Sequence, residues 1–316
     1  MSKSNRFFRV ICSCALTAGA IYAFNRIYNI AATRKHLLKS DSSNHFNWNG
    51  LNVHYEVKGT GSPVLMLHAL HPAASSYEWN RITDRLSEHH TVYLVDLPGC
   101  GRSEKPKALF TAFYYVQFIR DFIKIMSLHH VSIVASNLTS IVPIIAEAYE
   151  PGLADRIILI NPPSVSKSKE VPDFISKAKS FFIRMPLVGT FLYCIMGSRP
   201  QIDNYFAEKY FYNPFHDSDD LVDIYLESAH LDHENGRYLA ASMVANYLNM
   251  DIQHSLSAAS VPIKIIEGSA TEHAEDTVQE WLAIKPDIAV DMIEHTRQLP
   301  MIEEPDATAE AILSFL

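Results

Sequence analysis

Residues 131–149 decide the fold of this chain, and they read VSIVASNLTSIVPIIAEAY. The first part is a short β-branched apolar run, the middle is a turn of small polar residues, and the last part is an apolar helix-forming stretch. A buried strand that passes directly into a helix is the repeating unit of a parallel α/β sheet. The stretch therefore predicts an α/β fold in which polar residues stand at the carboxyl end of a buried strand.

The same alternation continues on both sides of this stretch. Residues 51–57 alternate between apolar and polar side chains and predict an antiparallel strand. Strands separated by helical segments form βαβ units, so we expect a mostly parallel sheet with right-handed crossovers. Further strands are predicted at 64–68, 91–95 and 156–160, and helices at 77–86 and 112–126.

Composition sets limits on the function. The chain has 316 residues, enough for one large α/β domain with an insertion, and its net charge is −8 without a basic stripe. A nucleic-acid partner is therefore not expected. The four cysteines show no C-x-x-C spacing and imply neither a disulfide framework nor a redox motif.

The N-terminal segment differs from the rest of the chain. Lys3, Arg6 and Arg9 precede an apolar run at 10–24, which extends to 7–30 if basic residues reach the membrane surface at its edges. We expect residues 1–33 to form a single-pass membrane anchor on an undetermined side, with a cleaved signal peptide as the alternative. Residues 34–45 are polar and predict a linker.

Six motifs follow one another along the chain: the strand end at His68, the helix at Trp79, the segment Asp96–Ser103, the strand-to-helix turn at 135–139, the strand 261–268 and the segment Leu299–Pro305. In this order they resemble the α/β-hydrolase fold, in the branch that contains epoxide hydrolases, haloalkane dehalogenases and small esterases. The resemblance covers residues 46–163 and 261–316, and the region between them, 164–260, corresponds to the helical cap of this branch.

The resemblance implies a nucleophile, an acid and a histidine, but this chain has other residues at all three positions. The turn that carries the nucleophile in G-x-S-x-G holds Asn137, between Ala135 and Thr139. The acid position holds Thr271 and the histidine position holds Gln298, while a second acid position used by some relatives falls near Asn161. These side chains form hydrogen bonds but do not transfer protons at neutral pH. No catalytic residue is therefore expected at the triad positions.

A triad displaced along the sequence is the alternative. Ser136, Glu272 and His295 lie one, one and three residues from the vacant positions. A shift of one residue at a strand end turns the side chain to the opposite face, so three displaced groups are not expected to converge. The oxyanion hole requires only backbone N–H groups, which the resemblance places at Ala69 and Leu138.

Two functions remain open from the sequence. The first is a membrane-anchored hydrolase-like protein that binds a small apolar or carbonyl- or carboxylate-bearing ligand, or a protein partner, without triad chemistry. The second is an active hydrolase, or a lyase- or oxygenase-type enzyme, that uses non-standard residues. The His- and acid-rich segments 216–220 and 230–234 match no metal loop, and the first predicts a helix start capped by Ser218 or Asp219. No metal and no cofactor is expected.

Overall fold

The computed structural model describes residues 3–40, 43–213 and 219–316. In these ranges eight strands form one sheet in the order β1-β2-β4-β3-β5-β6-β7-β8. The strands are β1 Asn44–Trp48, β2 Leu51–Lys58, β3 Ser62–Leu67, β4 His90–Val95, β5 Ser132–Ser136, β6 Arg156–Ile160, β7 Ile263–Gly268 and β8 Ala289–Ile293.

The helices follow the strands as the sequence predicts, and the predicted cap region is helical. They are α1 Lys3–Thr33, α2 Asn80–Ser87, α3 Ala112–Ile125, α4 Ile141–Tyr149, α5 Val165–Ser168, α6 Phe174–Arg184, α7 Val188–Met196, α8 Arg199–Tyr205, α9 Asp219–His230, α10 Arg237–Val244, α11 Gln253–Ala258, α12 Ala274–Ile284, α13 Pro300–Glu303 and α14 Pro305–Leu313. Short 3₁₀ segments precede α2 (Ser76–Trp79) and α4 (Asn137–Ser140), and a π-helical turn (Phe206–Tyr210) follows α8. Ser218, a predicted cap of α9, lies outside the described residues.

The sheet is antiparallel at one edge and parallel elsewhere. Strand β2 pairs antiparallel with β1 and β4, while β3 to β8 pair in parallel. The central strands are apolar on both sides because helices cover both faces. Helices α3, α4 and α12 pack on one face and α2 and α14 on the other, each through a buried apolar cluster. This arrangement is the α/β-hydrolase fold, as the sequence predicts.

Helix α1 packs against the cap instead of standing apart. It contacts α7 and α9. The side-chain amide of Asn25 donates to the Leu187 carbonyl at 3.3 Å, and that of Asn29 donates to the His230 carbonyl at 2.8 Å. Residues of the predicted linker 34–45 also contact the cap. The backbone N–H groups of residues 37 and 38 donate to the Glu227 carboxylate, and β1 already begins at Asn44.

The packing of α1 on the cap shortens the stretch of this helix that is available to cross a membrane. Once Asn25 and Asn29 are committed to the cap, the apolar run 10–24 covers about 22 Å of helix, less than the ~30 Å hydrocarbon core. Within the described residues no single helix has both the length and the apolar character that crossing a membrane requires. Helices α6 and α7 reach that composition only as a pair, and the pair is bent by 103°.

Candidate functional site

The strand-to-helix turn after β5 is preserved although its nucleophile is missing. Ser136 ends the strand in an extended conformation, and Asn137 follows with a φ of 51°. Asn is one of the few non-glycine residues that adopt this left-handed conformation readily. The turn therefore keeps the sharp geometry that presents residue 137 above the sheet.

Two larger residues stand where this turn usually has glycines, and hydrogen bonds within and beside the turn involve both of them. Ala135 and Thr139 are both fully buried. The Thr139 hydroxyl donates to the His68 carbonyl at 2.6 Å, and the Ser140 hydroxyl donates to the Ala135 carbonyl at 3.1 Å. The hydroxyl of Thr139 thus ties the turn to the loop that follows β3.

Asn161, at the end of β6, joins the other segments of the site. It too has a positive φ, of 47°. Its amide nitrogen donates to the Arg297 carbonyl at 2.8 Å, and its amide oxygen accepts from the Gly268 N–H at 2.8 Å and from the Thr271 hydroxyl at 3.3 Å. A carboxylate could not make the first of these bonds, because both partners would then be acceptors. The carboxamide suits this position because it both donates and accepts.

The three triad positions line one cavity between the sheet and the cap. Asn137, Thr271 and Gln298 all face this cavity of about 1040 Å³, and the Asn137 amide lies 3.4 Å from the Gln298 carbonyl oxygen. The walls are mixed in character. Apolar and aromatic residues on the wall are Leu70, Leu138, Pro162, Pro163, Tyr205, Tyr210 and Met243, and charged ones include Lys167, Lys209, Asp276, Glu280 and Arg297.

The displaced triad is not assembled. Ser136 is fully buried, and its hydroxyl lies 3.5 Å from Glu78. Glu272 is exposed and bonded to Lys209 at 3.1 Å, and His295 is exposed beside the Tyr212 ring. In the described part of the chain, no contact joins any two of Ser136, Glu272 and His295. The structure therefore does not bring these three residues together as a triad.

The backbone N–H of Ala69, which was expected to form part of the oxyanion hole, donates to another residue of the protein. It donates to Oε2 of Glu78 at 3.0 Å, so it does not point to a ligand. The next amide, that of Leu70, has no acceptor among the residues that the structure describes, and Leu70 lines the cavity. Leu138, the other expected donor, also lines it. Leu70 thus replaces Ala69 as the candidate backbone donor.

Two buried glutamates that the sequence analysis did not single out flank the site. Glu78 accepts the Tyr225 hydroxyl at 2.7 Å besides the Ala69 amide, and burial raises its pKa to about 7 against the opposing effect of these bonds. Glu267, at the end of β7, lines the cavity, and burial raises its pKa to about 8. Its Oε2 atom has no hydrogen-bond partner within the described ranges. Both carboxyls retain proton-donor character near neutral pH.

The cavity's imidazole at the β3 loop is a weak base. Burial lowers the pKa of His71 to about 4, and its Nδ1 accepts the Ala73 N–H at 3.1 Å. No group of three or more His, Cys, Asp or Glu side chains in the described ranges is arranged to hold a metal ion. The cavity wall therefore offers amide, hydroxyl, neutral carboxyl and charged groups.

Comparisons with known proteins agree with the fold. Residues 62–187 match the family described as the alpha/beta hydrolase fold. An uncharacterized protein of Mycobacterium tuberculosis is 29% identical over 117 residues, 37% of this chain and 34% of that protein. The chain thus matches about a third of the length of such curated relatives.

Solved structures extend the likeness to most of the chain. A serine hydrolase involved in carbazole degradation (CarC) aligns with a TM-score of 0.71 at 20% identity, over 86% of this chain and 97% of its own. A bacterial membrane phospholipase A aligns with a TM-score of 0.66 at 16% identity, over 99% of this chain and 97% of its own. The chain therefore has the α/β-hydrolase fold.

Proposed function

We propose that this protein is a membrane-associated α/β-hydrolase-like protein. In this proposal it binds a ligand with a carbonyl or carboxylate group in the cavity under the cap and does not hydrolyse it by triad chemistry. The observation that carries the proposal is the lining of one cavity by Asn137, Thr271 and Gln298. Acyl transfer needs a nucleophile and a base within hydrogen-bond reach of each other, and these three side chains supply neither.

The polar end of the ligand would be recognised by neutral donors. The amides of Asn137 and Gln298 and the Leu70 N–H can donate to a carbonyl or carboxylate oxygen. Glu267 can donate as well while it holds its proton. Neutral donors bind an oxygen without supplying a group that attacks the carbonyl carbon.

The remainder of the ligand would be apolar. The cavity volume of about 1040 Å³ is at the upper end of the ~300–1,000 Å³ that small-molecule sites occupy. Tyr205, Tyr210 and Met243 from the cap and Leu138 from the core supply apolar wall. A medium-sized amphiphile with one oxygen-bearing end fits this combination better than a fully polar metabolite.

Membrane association rests on α1. Its side chains Leu16 and Ile27 are 75% and 68% exposed, and Tyr22 is 65% exposed. Leu16 and Tyr22 lie within the apolar run 10–24, which follows three basic residues, and Ile27 lies just beyond it. The membrane phospholipase A aligns over this helix as well, since it covers 99% of the chain. We propose that α1 inserts its apolar surface into the bilayer, and the proposal does not require that the helix crosses it.

Ligand binding is tested with full-length protein and a fluorescent fatty acid such as cis-parinaric acid. We expect saturable binding, displaced by non-fluorescent carboxylic acids. Asn137→Ala and Gln298→Ala should each weaken it about 2- to 13-fold, the effect of losing one hydrogen bond. Asn204→Ala and Gln279→Ala are matched controls, because both side chains are exposed and lie outside the cavity wall. Equal affinities for all four variants would contradict the assigned site.

The absence of triad chemistry and the membrane association have separate tests. Full-length protein should resist labelling by a fluorophosphonate and leave a panel of lipid esters intact. In flotation it should rise with liposomes and stay bound after a high-salt wash. Labelling at Ser136 would restore the enzyme alternative, and protein that remains at the bottom of the gradient would refute the membrane association.

A further inference from the structure

Helix α6 presents its apolar side to the outside of the molecule. Phe174 and Ile175 are 86% and 62% exposed, and Phe181 and Phe182 are 57% and 52% exposed. At about 100° per residue these four positions, with Ala178, fall within about 120° of the helix circumference. The opposite side, which packs inward, buries Ser180 and Ile183. The helix is therefore amphipathic, and the side with more large apolar residues faces away from the protein.

Helix α7 repeats the pattern beside α6. Val188, Leu192, Ile195 and Met196 are exposed at spacings of four, three and one, while Tyr193 and its neighbours on the other side are buried. The two helices pack directly on each other. We call the eight exposed residues the α6/α7 face: Phe174, Ile175, Phe181, Phe182, Val188, Leu192, Ile195 and Met196. Clusters of exposed large apolar side chains commonly mark surfaces that contact a protein or a membrane.

The charges around this face point to the chemistry of the partner. Lys177 and Arg184 lie on one side of the α6 stripe and Lys179 lies on the other, and neither α6 nor α7 contains an acidic residue. These three basic residues outnumber the acidic cap of the helix, Asp173, in a chain of net charge −8. An apolar stripe flanked by lysine and arginine is typical of helices that lie in the interface of anionic membranes.

The face is continuous with helix α1. The rings of Phe24 and Phe191 meet edge to face at 5.4 Å, and Asn25 bonds to Leu187 in the turn between α6 and α7. The exposed apolar residues of α1 thus start at the border of the α6/α7 face. A bilayer that receives α1 lies beside α7 as well.

We propose that α6 and α7 lie on the membrane surface, with the α6/α7 face inserted among lipid headgroups and the first part of the acyl chains. The proposal builds on the membrane association proposed above and adds a second contact, made by the cap. The bend of 103° between the helices excludes a straight crossing by the pair and suits two helices in one interfacial plane.

The native tryptophans allow a direct test. Trp48, Trp79 and Trp281 are at most 4% exposed, so they give a constant background. Full-length Phe174→Trp and Phe181→Trp would be reconstituted in phosphatidylglycerol-containing vesicles whose acyl chains carry bromine at a shallow position. Ile125→Trp is the matched control, since Ile125 is 52% exposed on α3 of the core.

We expect the emission at positions 174 and 181 to shift to the blue and to lose at least half of its intensity in brominated vesicles, while position 125 changes little. Vesicle-bound protein without quenching at 174 and 181 would overturn this inference and leave the association through α1 intact. A blue shift without bromine quenching would also overturn it, because it would show that a second copy of the chain covers the face. Protein that does not enter vesicles at all would remove both proposals.

Discussion

The backbone N–H of Ala69 donates to the Glu78 carboxyl at 3.0 Å, so the loop beside the vacant nucleophile position is held by a buried acid. Glu78 also accepts the Tyr225 hydroxyl from helix α9 of the cap. One carboxyl therefore fixes the β3 loop and the cap together. Since burial raises its pKa to about 7, this connection changes its charge near neutral pH.

Glu78 should make the stability of the protein depend on pH. Its pKa is about 7 in the folded chain and 4.5 in the unfolded chain, so between these values only the folded chain holds the proton. Stability should fall as pH rises through this window, by up to about 3 kcal/mol from this group. Glu78→Gln should match the wild type below pH about 4.5 and exceed it at pH 8, measured by urea unfolding.

The control for this prediction is Glu275→Gln, an exposed position on α12. Its unfolding curve should follow the wild type at both pH values. A Glu78→Gln variant that is less stable than the wild type at pH 8 would show that the ionised carboxyl stabilises the fold, contrary to the burial argument.

Asn161 should be more important for stability than for chemistry. Replacing it by Ala removes three hydrogen bonds and leaves the buried Gly268 N–H without its acceptor. We expect a loss of about 2–4 kcal/mol in the free energy of unfolding. Asn161→Asp should also destabilise at neutral pH, because its carboxylate would face the Arg297 carbonyl, and should recover partly in acid. An Asp variant as stable as the wild type at pH 7 would contradict the assigned donor.

Thr139 should act through its hydroxyl. Thr139→Val keeps the shape but leaves the buried His68 carbonyl without its bond, at a cost of about 1–3 kcal/mol. Thr139→Ser keeps the hydroxyl and loses one methyl group, about 0.8 kcal/mol. Thermal unfolding of the two variants separates these effects. If Ser were the more damaging replacement, packing and not the hydrogen bond would hold the turn.

Restoring a nucleophile alone should not restore hydrolysis. Asn137→Ser places a hydroxyl at the turn, but no base stands within the triad geometry to accept its proton, and triad members act as a unit. Asn137→Ser, Thr271→Asp and Gln298→His together are the minimum change from which fluorophosphonate labelling could emerge. Asn137→Ala should leave any background ester hydrolysis unchanged. A large loss of activity in Asn137→Ala would show that this carboxamide takes part in catalysis.

The fold could be predicted because strand periodicity and motif order survive substitution of individual residues. Apolar runs mark the central strands, and Asn137 fits the left-handed turn that the scaffold demands. The two edge strands β1 and β8 were not predicted, since NHFNW has little apolar alternation and both strands are held at the sheet edges by pairing, β1 with β2 and β8 with β7. Edge strands of this kind depend on tertiary contacts more than on local pattern.

The remaining differences concern polar residues whose partners are distant in sequence. Glu78 stands at the start of a helix, where an acidic residue is normally exposed near the helix dipole, so nothing local indicates its burial. The Ala69 N–H donates to this buried carboxyl, so its unavailability to a ligand could not be predicted from the sequence either. In α1, Asn25 and Asn29 were a usable signal: two amides four residues apart in an apolar run indicate a polar contact on one helix side.

Two sides of helix α9 contact different parts of the chain. One side accepts the N-terminal segment, through Glu227 and the His230 carbonyl, and another places the Tyr225 hydroxyl on Glu78. The segment that we propose to contact lipid and the loop that borders the cavity are thus separated by the width of one helix, about 10 Å. If α1 enters the bilayer as proposed, a displacement of α1 would act on α9, whose other side bonds to Glu78. In that case the ligand affinity should depend on lipid composition and membrane curvature, and it should differ between vesicles and detergent.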